Sequence, residues 1–318
     1  MFGNHWFVKM MPFQGLAGFG GGATGFAMNT GGLKEVNGTG GSKSTFGDYT
    51  IHKFTSPGTF SFDSHSEIPV DILLVAGGGS GGVDNAGGGG GGGLIDGPAT
   101  LTSGSYPISI GSGGAARPGP TDDGSGNNGS NSTGFGWTAL GGGRGGGWNS
   151  SPGAASGGSG GGQACSNGSC GPSAGSATQP GQPGSPAPSR HGGNGGSAVS
   201  HYGAGGGGAG GNAGNSSPGA SSSGGPAYGP VTPKYGPGIG YSNGMLAGGG
   251  TGGWDVQNGK NSSNTASNNG TPKATGQSTE PACPANGGGG GHGANHDNNT
   301  SGAGGSGVCV VRYVTKQE

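Results

Sequence analysis

Gly87-Gly-Gly-Gly-Gly-Gly-Gly93 is an unbroken run of seven glycines, and the stretch before it, Val70-Asp-Ile-Leu-Leu-Val-Ala-Gly-Gly-Gly79, is the most strand-like of the chain. The run is the densest part of a sequence with 92 glycines and 21 prolines in 318 residues, a level at which low-complexity or fibrous structure is the default expectation. So much glycine removes the side chains from which cores and catalytic pockets are built. Backbone packing is therefore expected to hold the molecule up and to present a structural or recognition surface. Collagen is excluded, because glycine does not recur at every third position.

Outward from the run the two halves differ. All ten Phe lie at or before Phe135, whereas residues 141–307 carry only twelve bulky side chains. Even if fully buried at about 2 to 3 kcal/mol each, these twelve fall far short of the backbone entropy of ordering 167 residues at about 1 to 2 kcal/mol each. A conventional core is excluded there. Two alternatives stay open. Low hydrophobicity favours disorder, but disorder usually brings high net charge, and only eight of the 167 residues are charged. The other is a lattice of polyproline-II-type helices with three residues per turn, in which glycine lets neighbours approach closely enough for N–H···O and Cα–H···O contacts. The lattice is the expectation taken forward.

The chain divides into three parts. Residues 1–45 form an arm with Phe2, Trp6, Phe7, Phe13, Phe19 and Phe26 among flexible residues. So many aromatics need a partner to cover them, so the arm reads as a docking segment, with a frayed or self-packed terminus as the alternative. Residues 46–143 read as a small β module, with strands expected over 49–54, 58–62, 70–76, 94–95, 105–110 and 137–140. The continuous apolar run Ile72-Leu-Leu-Val-Ala76 suits a central strand covered on both faces. Residues 144–307 carry short glycine tracts separated by Ser-, Asn-, Pro- and Thr-rich stretches, read as a polyglycine-II bundle with exposed loops. The strand-like 308–314 would return to the β module and complete it. The fold class expected is all-β: a small β-sandwich-like module plus a polyglycine-II or polyproline-II helix bundle, with little or no α-helix.

Net charge is -1 with the basic residues scattered, which leaves no nucleic-acid footprint. No segment approaches 18 apolar residues, so membrane insertion is not expected. Pro12 and repeated glycine break the apolar N-terminus, so a standard export signal is not supported. In Cys165-Ser-Asn-Gly-Ser-Cys170 the Asn-Gly pair is a hairpin signal that sets the two cysteines opposite one another, making Cys165 and Cys170 a disulfide candidate. Cys309, within an apolar strand, reads as a packed thiol, and four cysteines without paired C-x2-C spacing make no zinc site.

Matches to catalytic patterns come free with this composition. Ser80 and Ser159 each sit in G-x-S-x-G, yet a nucleophile elbow needs a helix that this sequence does not supply. His292, His296 and Asp297 have a spacing that binds metal on a helix, and the flanking glycines argue against one. Asp122-Asp123-Gly124 lacks the later oxygen ligands of a calcium loop. No catalytic residue, metal or cofactor is expected. The informative side chains are isolated aromatics among small polar residues: Trp148, His201, Tyr202, Tyr228, Tyr235, Tyr241 and Trp254. Such residues give large contact area for little side-chain entropy and suit recognition loops; the alternative is that they plug gaps between lattice helices.

Several motifs in order carry a resemblance: Phe54-Thr-Ser-Pro-Gly-Thr-Phe60, the Val70 to Gly79 stretch with the glycine run after it, Leu101-Thr-Ser-Gly-Ser-Tyr-Pro-Ile-Ser-Ile-Gly-Ser-Gly-Gly114, Phe135-Gly-Trp-Thr-Ala-Leu-Gly-Gly-Gly143 and Gly304-Gly-Ser-Gly-Val-Cys-Val-Val-Arg-Tyr313. Together they resemble glycine-rich proteins of tailed bacteriophages, fibre and fibre-tip adhesin types among them. What the resemblance implies is a virion protein, exposed on the particle, whose loops contact a host cell-surface protein or glycan. Its other partners would be virion proteins met through the N-terminal arm, with a homotrimeric state left open. A head fibre or capsid decoration protein and an extracellular glycine-rich matrix or ice-binding protein are the competing readings.

Overall fold

The computed structural model describes residues 34–64, 66–119, 124–148, 152–166, 168–184, 186–241, 244–253, 282–295 and 300–317. The six aromatics expected to dock, from Phe2 to Phe26, lie outside the described residues. The strands are β1 (Lys34–Glu35), β2 (Asn37–Thr39), β3 (Ser42–Phe46), β4 (Tyr49–Phe54), β5 (Gly58–Asp63), β6 (Ile68–Val75), β7 (Leu94–Leu101) and β8 (Gly104–Ile108). They continue as β9 (Ser132–Gly134), β10 (Trp137–Ala139), β11 (Cys165–Ser166), β12 (Ser169–Cys170), β13 (Ser189–His191), β14 (Val308–Val314) and β15 (Lys316–Gln317). A single four-residue turn of helix, α1 (Thr232–Tyr235), has Pro233 in its first turn, where a missing N–H costs nothing. The fold is all-β.

Six strands in the order β13-β7-β6-β14-β4-β3 form one antiparallel sheet, and β2-β5-β8 form a second. β14 therefore leaves the glycine-rich excursion and inserts between β6 and β4. Its valines alternate sides as a two-residue period requires: Cys309, Val311 and Tyr313 enter the core between the sheets, while Val308 and Val310 face the opposite side. β6 is central and buried on both faces, with Ile72 and Leu74 in one core and Leu73 and Val75 in the other. Two prolines sit where the ladder tolerates them. Pro69 lies beyond the last pair of β6 with β14, and Pro98 lies beyond the reach of β13 along β7.

Two features differ from the sequence reading. The strand-bearing part begins at Lys34 rather than at residue 46, because β2 joins the smaller sheet and β3 forms a hairpin with β4. All five β3 residues are exposed, so β3 carries no apolar pattern to announce it. Secondly, bulky residues of the second half do contribute to a core. Val231, Tyr235, Ile239 and Leu246 cover the outer face of the six-stranded sheet, against Ile51, Leu73, Leu94 and Val310.

Beyond the sheet the backbone packs as a lattice. The amides of the glycine run point to a different neighbour at each residue and return every third residue. Gly87, Gly90 and Gly93 donate to Gly146, Gly143 and Leu140; Gly88 and Gly91 donate to Ala204 and Gly207; Gly89 and Gly92 donate to Gly291 and Gly288. Its carbonyls serve other segments: Gly87, Gly90 and Gly93 accept from Gly82, Gly79 and Ala76, Gly88 and Gly91 from Gly162 and Ser159, and Gly89 from Gly250. The central tract is thus enclosed by six others, and none of its seven residues has a positive φ. A three-residue turn in which the hydrogen bonds run between helices is the polyglycine-II arrangement, with the geometry of polyproline II. Residues 76–83 repeat the pattern, their amides reaching residues 87–93, 124–130 and 302–305 in turn.

Candidate functional site

The lattice has two ends because its tracts continue the strands. β6 runs into residues 76–83, the chain turns at 84–86, and residues 87–93 return into β7. At about 3.1 Å per residue, this turn stands about 20 Å from the sheet. Other loops gather around it. Val83 N donates to Gly124 O and Gly147 N to Ser125 Oγ, at 3.0 and 3.2 Å, which brings Trp148 to this end. Asn85 Nδ2 donates to Ser166 Oγ of the β11–β12 hairpin at 3.3 Å, and Gly253 N donates to Ala86 O at 2.7 Å. Ser216 Oγ donates to Tyr202 O and accepts from Val199 N, tying the 199–202 turn to the 217–220 turn. The tip is a cluster of turns carried on side-chain-poor helices.

Left-handed backbone at Asp84, Asn85 and Ser200 makes these turns tight; Asn and Asp tolerate that conformation because the short polar side chain bonds locally. The β11–β12 hairpin is closed by the disulfide between Cys165 and Cys170, which face each other in register with their Cα atoms 4.0 Å apart. That pairing is the one expected from the spacing. Ser169 and Cys170 are exposed, as are Ser217 and Pro218.

The aromatics singled out in the sequence fall into two groups at opposite ends. Trp148 and His201 are half-buried at the tip, and Tyr202 beside them is buried. Tyr228, Tyr235 and Tyr241 instead lie at the base against the sheet, so they do not form a surface with the tip residues. Tyr235 is 1% exposed. Its hydroxyl donates to Asp96 Oδ1 at 2.7 Å, and Tyr228 donates to Asp96 Oδ2 at 3.0 Å. Burial and the adjoining Asp96 carboxylate push the Tyr228 phenol up to about 12 and that of Tyr235 well above its ordinary range. Tyr241 accepts from Gly248 N at 3.0 Å. These three tyrosines brace the base, which is the gap-filling alternative rather than recognition. Trp254 lies outside the described residues.

The polar groups at the base form one network. Lys234 Nζ lies 2.9 Å from Asp96 Oδ1 and 3.1 Å from Asp71 Oδ1, and Arg312 Nη1 is 2.6 Å from Asp71 Oδ2. Arg312 also lies over the Tyr49 ring at 3.4 Å. The sequence did not single out Asp71, Asp96, Lys234 or Arg312. A charged residue within an apolar strand, such as Asp71 in Ile68–Val75, was the available signal.

The apparent catalytic patterns dissolve into lattice contacts. Ser80 and Ser159 are fully buried; Ser80 Oγ accepts from Asn127 N at 2.8 Å and Ser159 Oγ from Gly193 N at 3.4 Å. His292 is buried, with Nδ1 2.9 Å from Thr251 Oγ1; His296, Asp297, Asp122 and Asp123 lie outside the described residues. Among the described residues no group of three or more His, Cys, Asp or Glu comes together. Cys309 is buried in the core, and burial pushes its thiol far up.

A family model described as a glycine-rich domain matches residues 55–314, from just after β4 to the end of β14. The chain belongs to the glycine-rich domain family. No curated protein matches it. In this glycine-rich domain the matched stretch contains the whole lattice and the tip, while the β1 to β4 segment that completes the sheets precedes it. No helix among the described residues is long and apolar enough to cross a membrane.

Proposed function

We propose that this glycine-rich domain protein is a non-enzymatic structural and recognition component of a tailed-bacteriophage virion, a tail fibre or adhesin that attaches to the host surface through the loops at its tip. The polarity of the molecule carries the reading. Lys34 and Glu35 pair with Gln317 and Lys316 beyond the far end of β14, so the chain enters and leaves the folded body at the end opposite the turns. A body tethered at one end and loop-bearing at the other is what an attachment protein requires. The lattice between them holds the tip at a fixed distance without spending side chains on a core. The order of motifs shared with phage glycine-rich proteins supports the virion as the setting.

The proposal places residues 1–33 against other virion proteins and a host cell-surface protein or glycan against Trp148 and His201. Particles carrying Trp148→Ala with His201→Ala should assemble normally and adsorb to host cells at least tenfold more slowly. Protein lacking residues 1–33 should fold and be missing from purified particles. Normal adsorption by the double variant would sink the role of the tip. Normal incorporation of the truncated protein would sink the docking role.

A further inference from the structure

A cavity of about 240 Å³ opens beside the edge strand β13, lined by Ala177, Gln179, Arg190, His191 and Gly192. It is smaller than the roughly 300–1,000 Å³ pockets that take drug-sized ligands, which limits an occupant to about one sugar ring. One wall is fixed by Gln179, whose side chain is committed to the framework: Oε1 accepts from Leu140 N at 2.8 Å and Nε2 donates to Thr138 O at 3.0 Å. Arg190 is exposed, and its Nη1 donates to the Gln179 carbonyl at 3.0 Å. That bond orients the guanidinium and leaves the rest of its donors unspent. The His191 ring packs on Tyr228, centroids 4.2 Å apart, and its Nε2 is buried with no hydrogen-bond partner among the described residues.

The charges nearby do not cancel. Lys234 and Arg312 are matched by Asp71 and Asp96, and among the described residues Arg190 has no carboxylate partner. One positive charge is left over at the rim of the cavity. A guanidinium presents paired N–H donors that fit a carboxylate bidentately, and the His191 ring, backed by Tyr228, offers a flat apolar surface next to it. Ala177 and Gly192 leave the remaining space open.

We infer that this cavity is a subsite for a carboxylate-bearing monosaccharide of the hexuronic acid class, with the carboxylate on Arg190 and the sugar ring against His191. The subsite lies at the sheet edge, away from the tip, and its binding is independent of what the tip meets. Titration of the full-length protein followed by saturation-transfer NMR and calorimetry, with glucuronate, glucose and inorganic phosphate as probes, tests it. Saturable binding of glucuronate is expected, with glucose at least tenfold weaker. Arg190→Gln should weaken glucuronate at least tenfold while leaving the thermal unfolding midpoint unchanged, since Arg190 is exposed. Arg190→Lys, which keeps the charge and loses the fork, should fall between the two. Absence of glucuronate binding, equal binding of glucose, or displacement of glucuronate by an equal concentration of phosphate would each overturn the assignment. Undiminished binding by a folded Arg190→Gln variant would do the same.

Discussion

His52 shows how one buried side chain sets a response of the whole fold to acid. Its Nδ1 lies 2.7 Å from the carbonyl of Gly40, which can only accept, so Nδ1 carries the proton and Nε2 accepts from the Tyr313 hydroxyl at 3.2 Å. The same hydroxyl accepts from Gly38 N at 2.9 Å, so His52 links the hairpin strand β4 to β2 and β14. Burial holds its pKa below 6.5, Lys43 adds to the lowering, and the Gly40 carbonyl opposes it. His191 is lowered too, by burial against the opposing pull of Asp96. Below about pH 6.5 the unfolded chain therefore takes up protons that the folded one resists, and stability falls as pH falls. Urea unfolding should give a steady midpoint from about pH 8 to 7 and a declining one from about 6.5 to 5, with a shallower decline in His52→Gln. A midpoint that rises on acidification over that window would contradict the assignment. Nothing in the sequence marked His52, because its partners lie 12 and 261 positions away.

At the scale of an element, the glycine tract behaves opposite to a strand: its tolerance of change depends on main chain, not on side chain. A Cβ at Gly90 would meet the Ser159 carbonyl oxygen at 2.4 Å and that of Gly160 at 2.7 Å, whereas a Cβ at Gly181 meets nothing within 4 Å. Backbone atoms locked in a hydrogen-bonded lattice have little room to give. Gly90→Ala is expected to cost at least about 1–3 kcal/mol as overpacking, and Gly181→Ala to be neutral or stabilising by up to about 1 kcal/mol through the unfolded chain. Chemical denaturation of the two variants reads this directly; equal effects would contradict the packing. The strands were legible where side chains carry the pattern. β4 and β14 span the residues expected, and the run at 72–76 is the doubly covered centre of the sheet. β3 and β13 were not legible, because Ser-Lys-Ser-Thr-Phe and Ser-Arg-His are strands only by virtue of the partner they pair with. The tracts were legible as lattice material, yet their neighbours were not, since glycine has no side chain with which to encode a partner.

For the whole molecule, the rigid unit extends well past the residues assigned to sheets. Amide exchange should find residues 87–93 as slow as β6, because every amide of the tract is bonded to another buried tract, while the exposed turn residues 168–170 and 217–220 exchange quickly. Rapid exchange throughout the tract would refute the lattice. The division of the aromatics between base and tip was hidden from the sequence for the same reason: Tyr228 and Tyr202 have similar small polar surroundings, and only the path of the chain decides which meets Asp96 and which reaches the far end. The three-residue repeat also constrains how this molecule can change length. Each residue turns the helix by about 120°, so inserting one into an inner tract would aim every later amide at the wrong neighbour, whereas inserting three would restore the phase. Tract lengths can drift only in triplets, and single-residue insertions and deletions are confined to the turns, leaving the end that faces outward free to diversify while the shaft keeps time.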